Sequence, residues 1–598
     1  MSPPQPDIRP SWRTPGVASL AAAIGLFVFA CIVAGLGPQY DVTLLVTVGL
    51  TALAAMGLTL LLIAGQVSLG QAAFMAIGAY VSAILARDHD VPSILALLIG
   101  VAASAVAGIV VGAITLRLKG HFLPLATLAV GIATSAGIVA AGSLTGGASG
   151  LGQIPPLAIG RLELMDERAF AILVWSIVAV LGGGLSRLLH SRTGRAVVAL
   201  KTNVEMAEVF GVNATRLRLL VFVVAATLAG LSGGLYAFYF KFLSPAPFGL
   251  TSSINLLIAC IFGGMAHPLG AVLGAMAITA LEMVLQNTVA RMLGLSGHVE
   301  MIVFGIVLVG VLLRWPGGIW SALQRVWPTF SAARPGRNIE LSPSKRGAEG
   351  EDLLTVTAIA KNFGGLKALQ DVSFSVGPDQ IVGLIGPNGA GKSTTFNIAT
   401  GLLEPSEGNV VLMGAAPPAR VSDLVHRGVS RTFQHVRIVP ERTVLENVAF
   451  GAYAQGRSGI IAGMFAFDRS EEAATFAKAW RALEIVELDG LAHEPASRLA
   501  MGQARLVEIA RALISRPRLL LLDEPAAGLR SGEKLKLVTL LHRLKRAGMS
   551  VLLVEHDMDL VMNCVDRVVV LDRGQGLVTG SPDEVRRDER VIAAYLGA

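Results

Sequence analysis

Cysteine is nearly absent: the 598 residues hold three, Cys31, Cys260 and Cys564. The first two lie in apolar segments and the third in a polar half. Neither a disulfide framework nor a thiolate metal cluster is readable, and each reads as an inert buried thiol. Charge is also scarce, at 15% of residues, and vanishes from long stretches. No Asp, Glu, Lys or Arg occurs between Asp41 and Arg87, or within Val91–Leu116, Phe122–Gly160 and Phe242–Leu281. A bilayer-spanning helix needs about 20 apolar residues, so each stretch has room for one or more. Charges become common only after about residue 340. A single soluble core is excluded, both by this division and by length. The net charge of +7 does not imply nucleic acid, because many basic residues fall in short loops between apolar runs, where they orient a membrane protein.

Arg9 and Arg13 precede the apolar run Gly16–Gly35. The run is longer than a signal-peptide core and no A-x-A-like site follows, so it reads as a first anchor with its N-terminus in the cytoplasm. Further spans are expected at 43–64, 69–86, 92–116, 122–142, 169–190, 217–240, 249–266, 268–288 and 299–314, about ten in all. The pair meeting around Gly263–Gly270 is short for two full spans. Arg117 and Lys119, and the cluster Arg187, Arg192, Arg195, Lys201, Arg216 and Arg218, mark cytoplasmic loops. The Gly- and Pro-containing stretch 143–168 then faces outward. Runs such as Ala225–Gly234 are rich in Gly, Ala and Ser, which let helices approach closely in lipid. A simple anchor would not need so many helices, whereas a bundle with a path through it would.

The loop Ser191–Arg218 carries two stretches, Thr193–Leu200 and Val204–Gly211, that can form short amphipathic helices. On charge pattern alone they read equally as a solvated basic loop or as a coupling element docking on a second domain. Residues 325–352 hold Pro328, Pro335 and Pro343 without apolar periodicity and read as a linker.

After the linker comes Gly386-Pro387-Asn388-Gly389-Ala390-Gly391-Lys392-Ser393, preceded by the buried-strand run Ile381–Ile385 and followed by a helix start at Thr394. This is the G-x-x-x-x-G-K-[ST] phosphate loop in its strand–loop–helix setting. The loop residues Gly386, Asn388, Gly389 and Gly391 present backbone N–H groups to phosphate oxygens, with Thr394 in the first turn of a helix whose dipole favours anions. Lys392 can reach the β- and γ-phosphates, and the Ser393 hydroxyl can ligate Mg²⁺. A second buried run, Leu519–Leu522, ends in Asp523 and Glu524. Asp523 is placed for Mg²⁺ and Glu524 to polarise the attacking water. A third, Ser550–Val554, ends at Glu555-His556-Asp557, which puts His556 in reach of a γ-phosphate. The expected cofactors are ATP and Mg²⁺.

Arg431-Thr432-Phe433-Gln434-His435, Leu499-Ala500-Met501-Gly502-Gln503, Asp523-Glu524-Pro525 and Glu555-His556-Asp557 follow in the order of an ABC transporter ATPase, which residues 353–598 resemble. The resemblance implies that Gln434 ligates Mg²⁺ and senses the membrane domain, that Phe363 stacks on adenine and that His556 is the switch histidine. It also implies that Ala500, Gly502 and Gln503 belong to the signature motif, which reaches ATP held by the opposite ATPase of a pair. Ala500 lacks the usual hydroxyl, Met501 replaces a usual glycine, and Arg530 stands where Asn is usual.

Phe363-Gly364-Gly365-Leu366, Asp523–Leu529 and the ending Ala594-Tyr595-Leu596-Gly597 look like branched-chain amino acid importers. The permeases of that family are resembled by Gly65–Phe74, Gly78-Ala79-Tyr80, Thr193-Gly194-Arg195, Gly211-Val212-Asn213 and Leu228–Gly233. The expected architecture is an all-α polytopic membrane bundle over 1–324, the linker 325–352 and an α/β P-loop ABC ATPase domain over 353–598. The expected function is ATP-driven import of branched-chain or related hydrophobic amino acids across the inner membrane, with the ATPase domain in the cytoplasm. An external solute-binding protein, a second permease and ATPase, membrane lipid and a small-molecule substrate are the implied partners. The rivals are an importer of urea or short amides, an exporter half, and a membrane-anchored regulatory ATPase that moves no solute. About ten spans with short loops disfavour the exporter, which would show about six long helices.

Overall fold

A computed structural model describes residues 15–116, 122–160, 162–284, 305–306, 309–310, 313–314, 317–326 and 351–596. The expected span at 299–314 and the linker at 325–352 fall largely outside these residues. The N-terminal half folds into helices α1 (Pro15–Leu36), α2 (Gln39–Ile63), α3 (Gln71–Asp88), α4 (Ser93–Thr115), α5 (Phe122–Ala140), the single turn α6 (Gly142–Thr145) and α7 (Glu167–Leu188). Two short helices follow, α8 (Arg192–Thr202) and α9 (Val204–Val209), then α10 (Ala214–Phe240), α11 (Leu250–Gly263), α12 (Pro268–Val284) and α13 (Gly318–Val326). A two-residue hairpin, β1 (Ala158–Ile159) with β2 (Leu162–Glu163), interrupts the all-helical pattern in the stretch before α7.

Among the described residues six helices are long and apolar enough to cross a membrane, or seven if the α11–α12 pair is one broken span. Of the expected ten, the span at 299–314 lies largely outside the described residues, and the remaining differences have physical reasons. α11 and α12 meet at a bend of 113°. α3 is helical as expected, but it begins with Gln71 and ends with Arg87 and Asp88, so its apolar stretch is short. It lies deep in the bundle instead, clamped between α10 and α4.

Glycines set that packing. A methyl added at Gly233 of α10 would meet the Met75 carbonyl oxygen at 1.9 Å, and one at Gly78 of α3 would meet the Gly230 oxygen at 2.2 Å. The helices therefore touch backbone to backbone, the close approach that small residues permit in lipid. Gln39, Glu167 and Tyr239 share hydrogen bonds at one end of α2, α7 and α10. The opposite ends of α7 and α10 lead into α8 and α9, as the charge pattern requires.

In the C-terminal half the strands are β3 (Leu354–Phe363), β4 (Leu366–Val376), β5 (Ile381–Ile385), β6 (Glu407–Leu412), β7 (Val429–Arg431), β8 (Leu519–Asp523), β9 (Ser550–Val554), β10 (Arg567–Asp572) and β11 (Gln575–Gly580). β5, β8 and β9 are buried along their whole length, as continuous apolar runs in a covered parallel sheet should be. The main sheet has the order β11-β10-β5-β9-β8-β7, parallel except for β11. A three-stranded antiparallel sheet, β4-β3-β6, shares an apolar core with its other members through Phe396, Leu384 and Val554. The helices are α14 (Lys392–Ala399), α15 (Val444–Phe450), α16 (Ile460–Phe465), α17 (Arg469–Ile485), α18 (Met501–Leu513), α19 (Ser531–Arg546), α20 (Met558–Cys564), α21 (Pro582–Arg587) and α22 (Glu589–Leu596).

Candidate nucleotide site and its link to the membrane bundle

β5, β9 and β8 are neighbours in the sheet, and their C-terminal ends deliver the phosphate loop, Glu555-His556 and Asp523-Glu524 to one edge. That edge is where open parallel sheets bind ligands. The loop's glycines are structurally required at two points. Gly386 and Gly391 have φ of 154° and 94°, and an added methyl would strike the Leu571 oxygen at 2.2 Å and Leu369 Cδ2 at 2.4 Å respectively. Asn388, Gly389 and Ser393 are exposed, and Thr394 is half-buried behind them in the first turn of α14.

Lys392 is buried, and its Nζ donates to the carbonyls of Gly386 and Pro387 at 2.7 and 2.9 Å. Burial pulls its pKa down, opposed by the nearby charges of Glu524 and Asp523. Burial pushes the Asp523 carboxyl up; Arg431 opposes this and Glu524 adds to it. Glu524 holds φ of 46°, a left-handed conformation rare for a non-glycine residue. Its Oε2 lies 3.8 Å from Nδ1 of the exposed His556. An ammonium, a hydroxyl and a buried carboxylate thus converge as a triphosphate with a hard divalent cation requires.

Gln434 is exposed two residues after Thr432, whose Oγ1 accepts from the Asp523 N–H at 3.3 Å, and Arg505 donates to the Phe433 and Gln434 carbonyls at 2.5 Å each. Phe363 is 48% exposed at the end of β3, with Lys361 Nζ over its ring at 5.4 Å from the centre. Ala500, Gly502 and Gln503 start α18. Gln503 Oε1 accepts from the Ala500 N–H at 3.1 Å, and Gly502 packs on Glu533. Among the described residues no hydrogen bond or ion pair joins them to this chain's own phosphate loop. The motif residues therefore divide into a group the fold assembles and a group it leaves facing elsewhere.

Sequence reasoning missed a buried charge cluster on α18. Arg505, Glu508 and Arg511 are each at most 3% exposed. Glu508 accepts from Arg505 at 3.0 Å and from the Arg437 N–H at 2.8 Å, and Arg511 stands 5.2 Å from the centre of the Phe210 ring. The spacing i, i+3, i+6 on one helix face was a readable signal.

Phe210 follows α9, and α8 and α9 are the link to the membrane bundle. Ser191 caps α8 by accepting from the Gly194 N–H. Arg195, 4% exposed, donates a two-pronged pair to Glu472 of α17 at 2.6 and 3.0 Å. Arg192 adds its backbone N–H to Glu472 and its guanidinium to the Tyr453 and Ser458 carbonyls. Arg437, three residues after Gln434, binds Asn203 and Glu205 at 2.8 and 2.6 Å. Arg442 reaches back to the Leu189 carbonyl and pairs with Glu446. Burial alone would raise Glu446, but Arg442, His190 and the Thr443 N–H outweigh it and hold the carboxyl well below its ordinary value. The amphipathic helices are thus docked on the C-terminal half.

In known proteins the same two halves recur. The branched-chain amino acid transport system permease component family model matches residues 41–312, and the ABC transporter model matches 369–527. The branched-chain amino acid ATP-binding cassette transporter model matches 577–598. The high-affinity branched-chain amino acid transport ATP-binding protein BraF of Pseudomonas aeruginosa is 43% identical over 251 residues, 41% of this chain and 98% of that protein. The chain belongs to the branched-chain amino acid ABC transporter family. LivG of Escherichia coli, a high-affinity branched-chain amino acid transport ATP-binding protein, is 41% identical over 256 residues, 41% of this chain and 98% of that protein. A solved nucleotide-free ATP-binding cassette from an ABC transporter is 35% identical, covering 42% of this chain and all of that one at a TM-score of 0.37. The transporter joins a helical permease and a nucleotide-binding, ATP-hydrolysing domain in one polypeptide.

Proposed function

We propose that the transporter imports branched-chain or related hydrophobic amino acids across the cytoplasmic membrane at the expense of ATP. The observation that carries the reading is the docking of α8 and α9 on the ATPase half through Arg195–Glu472 and Arg437–Glu205. Arg437, three residues after Gln434, binds Glu205, so a movement of the segment that carries Gln434 pulls directly on the permease. ATP is held by Gly386–Thr394, with Phe363 on the adenine. Ser393, Asp523 and Gln434 hold Mg²⁺, Glu524 activates water, and His556 contacts the γ-phosphate. Ala500, Gly502 and Gln503 serve the ATP of a second ATPase. The permease ends near residue 324 and the ATPase begins near 353. A second permease and ATPase, identical or different, and an external binding protein complete the importer.

Transport, as opposed to an anchored ATPase without cargo, is favoured by polar groups inside the bundle. Gln66, Gln71, Tyr80 and Ser82 are buried with at least one side-chain polar atom lacking a partner. Gln71 donates to the Ala225 carbonyl at 2.8 Å, eleven residues along α10 and so ~16 Å from its cytoplasmic end. Unmatched polar atoms at that depth cost several kcal/mol each in hydrocarbon, a cost compatible with a hydrated or solute-lined path. The test is ATP hydrolysis by the purified complex in lipid with its binding protein and a panel of amino acids and amides. Stimulation by branched-chain amino acids supports the reading. Stimulation by urea or amides alone redirects the substrate, and hydrolysis indifferent to every solute contradicts transport.

A further inference from the structure

One apolar patch on the ATPase half belongs to neither of its cores. Helix α16 is six residues long, and Ile460 and Met464, one turn apart, pack on the membrane bundle's apolar cluster. The contact is close: a methyl added at Gly184 of α7 would come within 3.1 Å of Met464 Cε, and Gly463 faces Ser191. Ile461 and Phe465 form the adjacent stripe and are 70% and 51% exposed, and Phe467 just beyond is 77% exposed. Phe465 and Phe467 stack with centres 6.2 Å apart, which makes one continuous apolar surface.

The level of this surface identifies what covers it. Gly184 lies four residues, or ~6 Å, inside the cytoplasmic end of the span α7. Its neighbour Gly183 faces Leu20 and Ala23 of the span α1, residues well inside that helix. A helix packed sideways on these turns is flush with the bilayer surface, with one face on protein and the next on lipid. The basic residues agree. Arg187 closes α7 and Arg469 opens α17, close enough that the charges of Arg469 and of the neighbouring Asp468 both act on the Arg187 guanidinium. Two adjacent guanidiniums at the rim of an apolar patch suit phosphate headgroups.

We propose that α16 and Phe467 insert into the cytoplasmic leaflet of the same membrane the permease spans. The ATPase domain thereby touches lipid directly, as interfacial amphipathic helices do. Insertion fixes α16 relative to α7 independently of the ion pairs of α8, so the coupling helices move against a domain held at the membrane. Depth of immersion is ~5–10 Å for helices of this kind, which the aromatic side chains can reach.

The test is a nitroxide at Phe467→Cys in the full chain carrying Cys31→Ser, in nanodiscs. Collision with membrane-soluble oxygen is compared with collision with a water-soluble nickel chelate. Leu98→Cys, on the 59% exposed outer face of α4, and Leu535→Cys, 69% exposed on α19, set the lipid and water limits. The expected oxygen-to-nickel ratio at 467 is several-fold above that at 535 and close to that at 98. A ratio equal to that at 535 overturns the proposal in favour of water. Shielding from both reagents overturns it in favour of a covering protein. The label sits on an exposed side chain, so folding is not at stake, and catalytic competence need not be assumed.

Discussion

The pair Arg195–Glu472 offers the sharpest handle on how the two halves communicate. The Arg195 side chain is 4% exposed and that of Glu472 16%, so neither charge is well solvated once its partner is gone. Truncating one member of a buried pair costs ~3–5 kcal/mol. Partial exposure of Glu472 and its remaining bond to the Arg192 N–H at 2.7 Å reduce this to ~2–3 kcal/mol in Arg195→Ala. At 1.4 kcal/mol per decade, undocking of α8 becomes roughly 30- to 140-fold more frequent. Because both halves share one chain, the undocked state stays tethered and redocks readily. The loss is then one of coupling and not of assembly. Hydrogen exchange of the α8 amides reads the opening free energy, and solute uptake per ATP in proteoliposomes reads the coupling. Arg195→Ala, Glu472→Ala and the double variant form a cycle expected to show an interaction of ~1.5–3 kcal/mol, with basal hydrolysis within about two-fold of wild type. Strict additivity, with an interaction below ~0.5 kcal/mol, refutes the reasoning.

Three further outcomes follow from the packing and the charges. Gly233→Val forces a side chain against the Met75 carbonyl, which a mere methyl would already meet at 1.9 Å; a loss of ~1–3 kcal/mol in bundle stability is expected, seen as a lower melting temperature in detergent, and an unchanged melting point contradicts the backbone contact. Glu508→Ala leaves Arg505 and Arg511 buried without their shared carboxylate, at a cost of ~3–5 kcal/mol; urea unfolding of the ATPase half should register it, and a loss under ~1 kcal/mol contradicts the buried triad. The Glu446 carboxyl is held below its ordinary value of 4.5, so it favours the folded state above that pH, and its contribution fades as pH falls below 4.5. Glu446→Gln should therefore flatten the acid-side loss of stability below pH 4.5, and parallel pH profiles of variant and wild type count against the pairing.

What was legible in the sequence was what local chemistry specifies. The phosphate loop needs its glycines, its lysine and a strand before it, all within adjacent residues, and Ile381–Ile385 and Ser550–Val554 appear as strands with the bounds expected. Charge-free runs mark helices in the same way. The docking contacts were not legible, because Arg195 and Glu472 lie 277 positions apart and a basic loop looks the same whether solvated or docked. The 113° bend between α11 and α12 falls at Gly264, whose φ is 112°, and before Pro268, which opens α12; those residues were legible, but the backbone contact of Gly263 with Gly270 was not. The division of α16 is likewise a matter of tertiary contact: Ile460 and Met464 occupy the bundle face and leave Ile461 and Phe465 outside.

Solute accumulation in sealed proteoliposomes, with ATP on the ATPase side and the binding protein on the other, bears on import most directly. The expected result is concentrative uptake of a branched-chain amino acid that needs ATP and is lost in Lys392→Ala, whose ammonium no longer reaches the triphosphate. Concentrative uptake that survives Lys392→Ala, or net movement of solute toward the binding-protein side, would contradict an importer driven by this site.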